Sequence, residues 1–238
     1  MLEKLPFEMI IDMRLPSGLG GRWYGAFPAL VTDNVDPEGQ GRVKISLPWA
    51  PDTENARYDT WARLATFMAG NNRGSWFIPD VDDEVLIVFE GGDPRRPYVI
   101  GSLWNGSDKP PETMDGAGKN FKKVLRSRNG VKMTLDDTDG REQFILETPG
   151  AQKLTLKDGP GAVEIVDSNG NSIKLETSGI TITAAAKVTI NASQVAVSAG
   201  MVTVDAAMSK FSGVVQCDTM ISNSVVSASY TPGAGNIW

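Results

Sequence analysis

The clearest pattern in this chain is an alternation of apolar and polar residues that recurs through its C-terminal half. The repeated segments begin seven to ten residues apart. They are LTL from residue 154, VEIV from 163, IKL from 173, ITI from 180, VTI from 188, VAV from 195 and VTV from 202. Alternation over runs this short is typical of strands with one buried face and one solvated face.

The spacing of these segments predicts how they assemble. Seven to ten residues make one strand and one turn, whereas the coils of large single-chain β-helices need about twenty or more residues. A lone meander of such strands would leave its apolar face uncovered. Three copies around an axis would bury that face, so we predict a homotrimeric β-prism. Its predicted core residues are Val163, Ile165, Ile173, Leu175, Ile180, Ile182, Val188, Ile190, Val195, Val197, Val202 and Val204.

The N-terminal half predicts a small closed barrel instead. Residues 26–35 and 41–49 flank the turn Asp36-Pro37-Glu38-Gly39 and read as a β-hairpin. Residues 60–70 favour a strand, and residues 83–105 read as two strands around a Gly-Asp-Pro turn. About five short strands with Gly and Pro turns fit a small barrel better than a sandwich.

These differences in residue pattern predict five segments along the chain. They are an arm at residues 1–22, a barrel domain at 23–112, a linker at 113–127, the trimeric β-helix at 128–229 and a tip segment at 230–238. The join between the barrel and the repeats is rich in Gly, Pro and Asp, as linkers are.

The composition of the chain excludes several kinds of partner and site. The net charge of −6 argues against a nucleic-acid partner, which would require clustered Lys and Arg. The sequence contains no histidine, which excludes histidine metal sites and Ser-His-Asp triads, and we predict no cofactor. The single cysteine, Cys217, lies in an alternating segment and is expected to be a small buried hydrophobe. We expect no signal peptide and no membrane-spanning helix.

Motifs in the barrel region resemble a known family. GAFPALVTDNVDPEGQGRVKISLPW, then WARLATFMAG, then RGSWFIPDVDDEVLIVFEGGDPRRPYVIGSLWNGSDKPP resemble the OB-fold of phage baseplate spike proteins and of VgrG, the spike of type VI secretion. Residues 128–158 resemble the entry into the spike's β-helix. Residues 214–238 resemble the end of the spike in phage-tail-like extracellular contractile injection systems. The resemblance implies an all-β fold, with an N-terminal OB-fold barrel followed by an intertwined homotrimeric β-helix, or β-prism, needle.

The resemblance also implies a function and a set of partners. The chain would be the structural, non-enzymatic central spike of a contractile baseplate, assembled in the cytoplasm and then carried in a phage-tail-like particle. Sheath contraction would drive it through the target envelope, so it would meet the membrane only transiently. Its partners would be two further copies, a separate hub protein, a PAAR-repeat tip protein and effector cargo. The chain departs from some relatives because it has no room for a lysozyme domain and no His-x-His iron site at its tip.

The two termini carry the predicted partner sites. The tip-cap site would consist of Tyr230, Thr231, Pro232, Gly233, Ile237 and Trp238. The hub site would consist of Phe7, Met9, Ile10 and Ile11. Two alternatives remain open: Trp238 could fold back to plug its own trimer, and the arm could pack on its own barrel.

Two other functions remain open from the residues alone. OB-fold barrels often bind single-stranded nucleic acid on aromatic side chains, and the candidates here are Trp49, Trp61, Phe67, Trp76 and Phe77. The acidic net charge favours packing roles for them instead. A β-helical polysaccharide depolymerase would need a carboxylate pair in a groove.

Two charged clusters have structural interpretations. The acidic residues Asp136, Asp137 and Asp139 are expected to form a turn between strands. The pair Arg95 and Arg96 is expected to be solvated or to form salt bridges between chains.

Overall fold

A closed five-stranded barrel forms the N-terminal part of the structure. The computed structural model describes residues 22–50, 58–158 and 162–228. The strands of this part are β1 (Ala26–Asp33), β2 (Val43–Ser46), β3 (Asp59–Leu64), β4 (Ala69–Gly70), β5 (Arg73–Gly74), β6 (Glu84–Phe89) and β7 (Pro97–Ser102). The barrel order is β1-β2-β3-β7-β6, and β4 and β5 form a separate short hairpin. The predicted small barrel is confirmed.

The barrel core follows from strand alternation. Val31, Val43, Ile45, Val85 and Ile87 are completely buried, and they alternate along their strands with more exposed residues. Side chains on alternate positions of a strand point to one face, so closing the sheet brings these residues together.

Aromatic rings close one side of this core. The ring of Trp23 lies edge-on to the rings of Trp49, Tyr58 and Phe89, at centroid distances of 5.1, 5.8 and 5.2 Å. Phe27 stacks on Trp49 at 4.6 Å. These contacts use most of the aromatic residues near the start of the barrel for packing.

The predicted hairpin turns are built around aspartates. Asp36 accepts hydrogen bonds from Nη2 of Arg42 at 2.7 Å and from three backbone N–H groups of the same turn. Asp93 accepts from Nη2 of Arg95 at 2.8 Å. In each case the arginine is the main reason that the pKa of the aspartate lies well below its ordinary value.

A seven-stranded antiparallel meander follows the barrel. Its strands are β8 (Lys122–Arg126), β9 (Lys132–Asp136), β10 (Gln143–Glu147), β11 (Lys153–Lys157), β12 (Ala162–Val166), β13 (Ser172–Glu176) and β14 (Gly179–Thr183). Each strand pairs with its neighbours in the sequence. The sheet begins earlier than the boundary predicted at residue 128, because β8 lies inside the segment expected to be a linker.

The chain divides into two units, which are residues 1–187 and residues 188–238. Among the described residues of the second unit, 188–228, none is in a strand, although VTI, VAV and VTV predicted strands there. A strand requires a hydrogen-bonded neighbour, and none of the described residues forms a ladder with residues 188–228. Within the described ranges, no helix has both the length and the apolar character needed to cross a membrane.

Candidate functional site

The main candidate site is the apolar face of the seven-stranded sheet. Antiparallel register aligns its alternate residues into two continuous rows that run across the strands. The first row is Leu135, Phe144, Leu156, Val163, Leu175 and Ile180. The second row is Leu125, Met133, Leu146, Leu154, Ile165, Ile173 and Ile182. We call these thirteen residues the apolar face.

The opposite face of the sheet is polar. Lys132 and Glu147 form an ion pair across β9 and β10 at 3.7 Å, and Lys174 pairs with Glu176 at 2.7 Å. The face also contains Thr134 and Thr155, which lie on either side of Ile145 in the register and are buried. The two faces therefore differ sharply in chemistry, as expected for a sheet that is covered on one side only.

Among the described residues of one chain, none covers the apolar face. Ile165 is 48% exposed and Ile180 is 70% exposed. An open groove of about 780 Å³ runs along the first row. Monomeric soluble proteins rarely expose continuous apolar patches of this kind, and such patches mark interaction surfaces.

Burial of this face would release substantial free energy. Each Val, Leu or Ile that becomes fully buried contributes roughly 1.5–3 kcal/mol. The gain here is smaller for each residue because most of these side chains are already half-buried. It is repeated over two rows, and would be repeated again in every copy that joins.

The predicted trimer-core residues fall into two groups. Val163, Ile165, Ile173, Leu175, Ile180 and Ile182 all lie on the apolar face, where the register brings them side by side. Val188, Ile190, Val195, Val197, Val202 and Val204 lie in the second unit and are all exposed in the single chain. Their role in a trimer core stays a prediction.

Seven residues of the apolar face were missed by the sequence prediction of core positions. They are Leu125, Met133, Leu135, Phe144, Leu146, Leu154 and Leu156. KMTLD and KLTLK alternate apolar and polar residues, whereas KVLR and QFILE place apolar residues side by side. Alternation can therefore identify Met133, Leu135, Leu154 and Leu156, but it does not distinguish the two faces of β8 and β10.

The second unit has a distinct character. Its described part, 188–228, contains only Asp205, Lys210 and Asp218 as charged residues. Cys217 is exposed, so the prediction that it is buried is wrong for the single chain. The prediction assumed a sheet at this position, and the described residues contain none there.

The acidic cluster forms a turn, as predicted. The carboxylate of Asp136 accepts hydrogen bonds from the hydroxyl and the backbone N–H of Thr138, at 2.6 and 3.1 Å. The hydroxyl is the main cause of the lowered pKa of Asp136. Asp137 pairs with Nζ of Lys123 at 2.6 Å. These carboxylates are engaged in holding the β9–β10 connection.

The arginine pair of the barrel is engaged within its own chain. Arg95 pairs with Asp93 at 2.8 Å, and Arg96 pairs with Glu90 at 3.5 Å. Both arginine side chains are otherwise well exposed. The alternative of salt bridges between chains is therefore not needed to explain this pair.

The aromatic residues considered for base stacking separate into two groups. Trp49 donates from Nε1 to the carbonyl of Pro28 at 2.6 Å, and Trp61 lies under the guanidinium of Arg42 at 5.5 Å. Phe67, Trp76 and Phe77 are exposed and belong to one loop. The two predicted terminal sites, in the arm and in the tip, lie outside the described residues.

Two protein families match separate parts of the chain. Residues 27–104 match the type VI secretion system/phage-baseplate injector OB domain. Residues 143–208 match the phage baseplate V C-terminal trimerisation domain. The first match covers the barrel, and the second covers the sheet from β10 onward and part of the second unit.

Several characterised relatives are spike proteins. The type VI secretion system spike protein VgrG1b of Pseudomonas aeruginosa is 29% identical over 138 residues, which is 52% of this chain and 19% of that protein. VgrG2a of the same organism is 33% identical over 121 residues, or 49% of this chain and 14% of that protein. The actin cross-linking toxin VgrG1 of Vibrio cholerae is 30% identical over 130 residues, or 49% and 12%. The chain spans about a fifth or less of the length of these relatives.

Proposed function

Because the chain belongs to the VgrG-like family of baseplate spike proteins, we propose that it acts as the structural central spike of a contractile injection apparatus. The spike would link the tube and hub of a phage-tail-like assembly to a tip. It would pierce the target envelope when the sheath contracts.

The observation that carries this proposal is the apolar face. Thirteen side chains in two unbroken rows require a cover, and the matched trimerisation domain indicates that further copies of the chain provide it. Three sheets packed around an axis would form a prism with a dry apolar interior. The polar faces, with their ion pairs, would face solvent.

In this proposal, the spike acts through its resistance to bending. Strands β8 to β14 are hydrogen-bonded to one another in sequence order. The two rows of apolar residues cross these strands along the sheet. Bending such a prism would separate packed side chains along a whole row, and close-packed interiors resist this. In the second unit, strands would pair between chains, which would supply hydrogen-bond partners to the described residues 188–228.

The barrel would act as a collar that holds three chains in register. The hub site of Phe7, Met9, Ile10 and Ile11 and the tip-cap site of residues 230–238 complete the proposal. Both sites rest on the sequence and on the resemblance. Effector cargo would be carried at the tip.

The chain would have no enzymatic role. One relative is named an actin cross-linking toxin, and that activity belongs to a much longer protein. In this chain the carboxylates of the β9–β10 turn are held by Thr138 and Lys123. In the barrel, Trp49 donates a hydrogen bond to the carbonyl of Pro28, and the ring of Trp61 lies under the guanidinium of Arg42.

Immunogold electron microscopy of contractile particles from cells that encode the chain tests this proposal. We expect label at the baseplate end of extended particles and no label along the sheath. Particles that assemble and contract normally without the chain would contradict the proposal. Loss of viscosity in a polysaccharide assay, or a gel shift with single-stranded DNA at low salt, would support the alternative functions instead.

A further inference from the structure

A second apolar surface lies on the barrel, in the loop formed by residues 66–77, which we call the aromatic loop. Phe67 is 100% exposed, Trp76 is 77% exposed and Phe77 is 75% exposed. Met68 adds a further apolar side chain that is half exposed. The only charged residue in the loop is Arg73. Scattered single exposed hydrophobes are normal on a protein surface, but four within one short loop indicate a contact surface.

Backbone contacts specify the conformation of this loop. The short strands β4 and β5 pair, and the backbone N–H of Ser75 donates to the carbonyl of Met68 at 2.9 Å. The hydroxyl of Thr66 donates to the carbonyl of Ser75 at 2.9 Å. Gly74 has a φ of +154°, and a Cβ there would lie 2.6 Å from the carbonyl oxygen of Met68. The loop therefore has a defined conformation in which the aromatic side chains remain exposed, although the ring of Trp76 lies beside Gly41.

The chain just after the aromatic loop is tied to one lateral edge of the sheet. Asp80 accepts a hydrogen bond from Nη1 of Arg128 at 3.0 Å. Arg128 belongs to the β8–β9 turn. In the antiparallel meander the β10–β11 turn lies at the same edge, and a Cβ on Gly130 would lie 3.2 Å from the ring of Pro149. The Asp80–Arg128 bond thus places the chain that follows the loop beside this edge.

The same edge borders the second row of the apolar face. Leu125 is the last residue but one of β8, and Met133 is the second residue of β9, so both lie next to the β8–β9 turn. In the trimeric prism proposed above, the lateral edges of three sheets are the seams where neighbouring copies meet. The aromatic loop would therefore lie beside a seam between two copies, and not on the middle of an outer face.

We propose that the aromatic loop packs against a second copy of the chain at this seam, and the inference rests on the proposed trimer. Continuity with the apolar face favours this partner. The seam is the place where the next copy must pass if the apolar face is covered by further copies. A loop of exposed Phe and Trp side chains matches the aromatic enrichment of protein interfaces.

The distribution of charge indicates which surface of the next copy the aromatic loop would contact. The opposite lateral edge of the sheet begins with the β9–β10 turn, which contains Asp139 and Glu142 against one basic residue, Arg141, while its Asp137 pairs with Lys123. That edge of one copy would face the aromatic loop of the next copy at the same level of the prism. Arg73 would then approach an acidic turn, and opposite charges set register in interfaces of this kind.

Site-specific photo-crosslinking tests the contact in the full-length protein. The photoreactive amino acid p-benzoylphenylalanine replaces Phe77 in an untagged chain, which is co-expressed with an affinity-tagged wild-type chain. Mixed complexes are recovered through the tag, their native mass is measured, and they are irradiated and denatured. In the matched control, p-benzoylphenylalanine replaces Arg95, which is exposed on a barrel hairpin.

The inference predicts a covalent two-chain product that contains the tag from position 77 and not from position 95. Peptide mapping should place the link near the β9–β10 turn of the tagged chain. A trimeric mass with links only inside one chain would overturn this inference and leave the proposed function intact. A single-chain mass would overturn both.

A second measurement separates contact from mere proximity. In the double variant Phe67→Ser, Trp76→Ser, subunit exchange between differently labelled trimers should become about tenfold faster, because apolar area is removed from the interface. The control is Tyr24→Ser, which changes an aromatic residue that is 62% exposed and lies outside the loop. Unchanged exchange in the double variant would overturn the inference.

Discussion

Ile165 on β12 lies directly opposite Ile173 on β13, and both side chains are exposed to solvent in a single chain, at 48% and 40%. This cross-strand pair belongs to the second apolar row, next to its end at β14. A neighbouring residue, Val166, lies on the polar face of the same strand opposite Lys153. Adjacent positions on β12 therefore allow the two faces of the sheet to be tested separately.

We predict that Ile165→Asp prevents trimer formation. A carboxylate buried without a partner costs several kcal/mol, and the threefold axis would bring three such groups together. Light scattering at fixed protein concentration should show a large loss of the trimeric species. The control Val166→Asp should remain trimeric, because its carboxylate can pair with Lys153. A fully trimeric Ile165→Asp protein with unchanged thermal stability would exclude the apolar face from the interface.

The β12–β13 turn makes stability depend on acid pH. Asp167 accepts from Nδ2 of Asn171 at 2.6 Å and from the backbone N–H groups of Asn169 and Asn171, both at 2.8 Å. These bonds, the side chain of Asn171 first, lower the pKa of Asp167 to about 2. A carboxyl whose pKa is lowered by folding stabilises the native state above its unfolded pKa, and this contribution is lost as the pH falls through the folded value.

We therefore predict that Asp167→Asn lowers the urea midpoint at pH 7. The difference from the wild type should shrink as the pH falls from about 4 towards 2, the window between the unfolded and folded pKa values. Urea titrations of both proteins across that range, at one protein concentration, provide the measurement. A difference in midpoint that is the same at pH 7 and pH 2 would exclude this ionisation as its cause.

Gly74 should be the least replaceable residue of the aromatic loop. Its backbone lies at a φ that side chains rarely adopt, and a methyl group would meet the carbonyl of Met68. We expect Gly74→Ala to cost about 1–3 kcal/mol and to speed amide exchange in residues 66–77. Gly106→Ala is the control, since a Cβ at Gly106 meets nothing within 4 Å. Equal exchange in the two variants would contradict the assigned loop conformation.

Deletion of residues 230–238 should separate assembly from capping. We predict that the shortened chain remains a trimer, since the apolar face is retained, but fails to co-purify with a PAAR-repeat tip protein. Co-expression with a tagged PAAR-repeat protein, followed by affinity purification, measures this. If the shortened trimer retains the tip protein in full, the seat of the cap lies elsewhere in the chain.

Local chemistry made much of the barrel predictable. The turn Asp36-Pro37-Glu38-Gly39 specifies a hairpin because the proline presets φ and Gly39 adopts a positive φ of 64°. The prediction was less accurate at residues 60–70, where β3 ends at Leu64 and the aromatic loop begins soon after. The apolar pattern there continues into the loop, so its exposure depends on partners that local pattern does not reveal.

The sheet shows the same limit at its two ends. Alternation predicted β11 to β14, but β8 was taken as part of a linker because only Val124 and Leu125 interrupt its charged residues. In the second unit, alternation predicted strands, but residues 188–228 pair with no strand in the part of the chain that the structure describes. Pattern identifies which residues prefer one face of a sheet, whereas the strand that completes the sheet is a property of the assembly.

The native mass of the full-length protein tests the central claim most directly. Multi-angle light scattering should give three times the 25.6 kDa of one chain, with no monomer at micromolar concentration. A stable species of one chain mass at that concentration would mean that the apolar face is not covered by further copies. Both the prism and the spike function would then be contradicted.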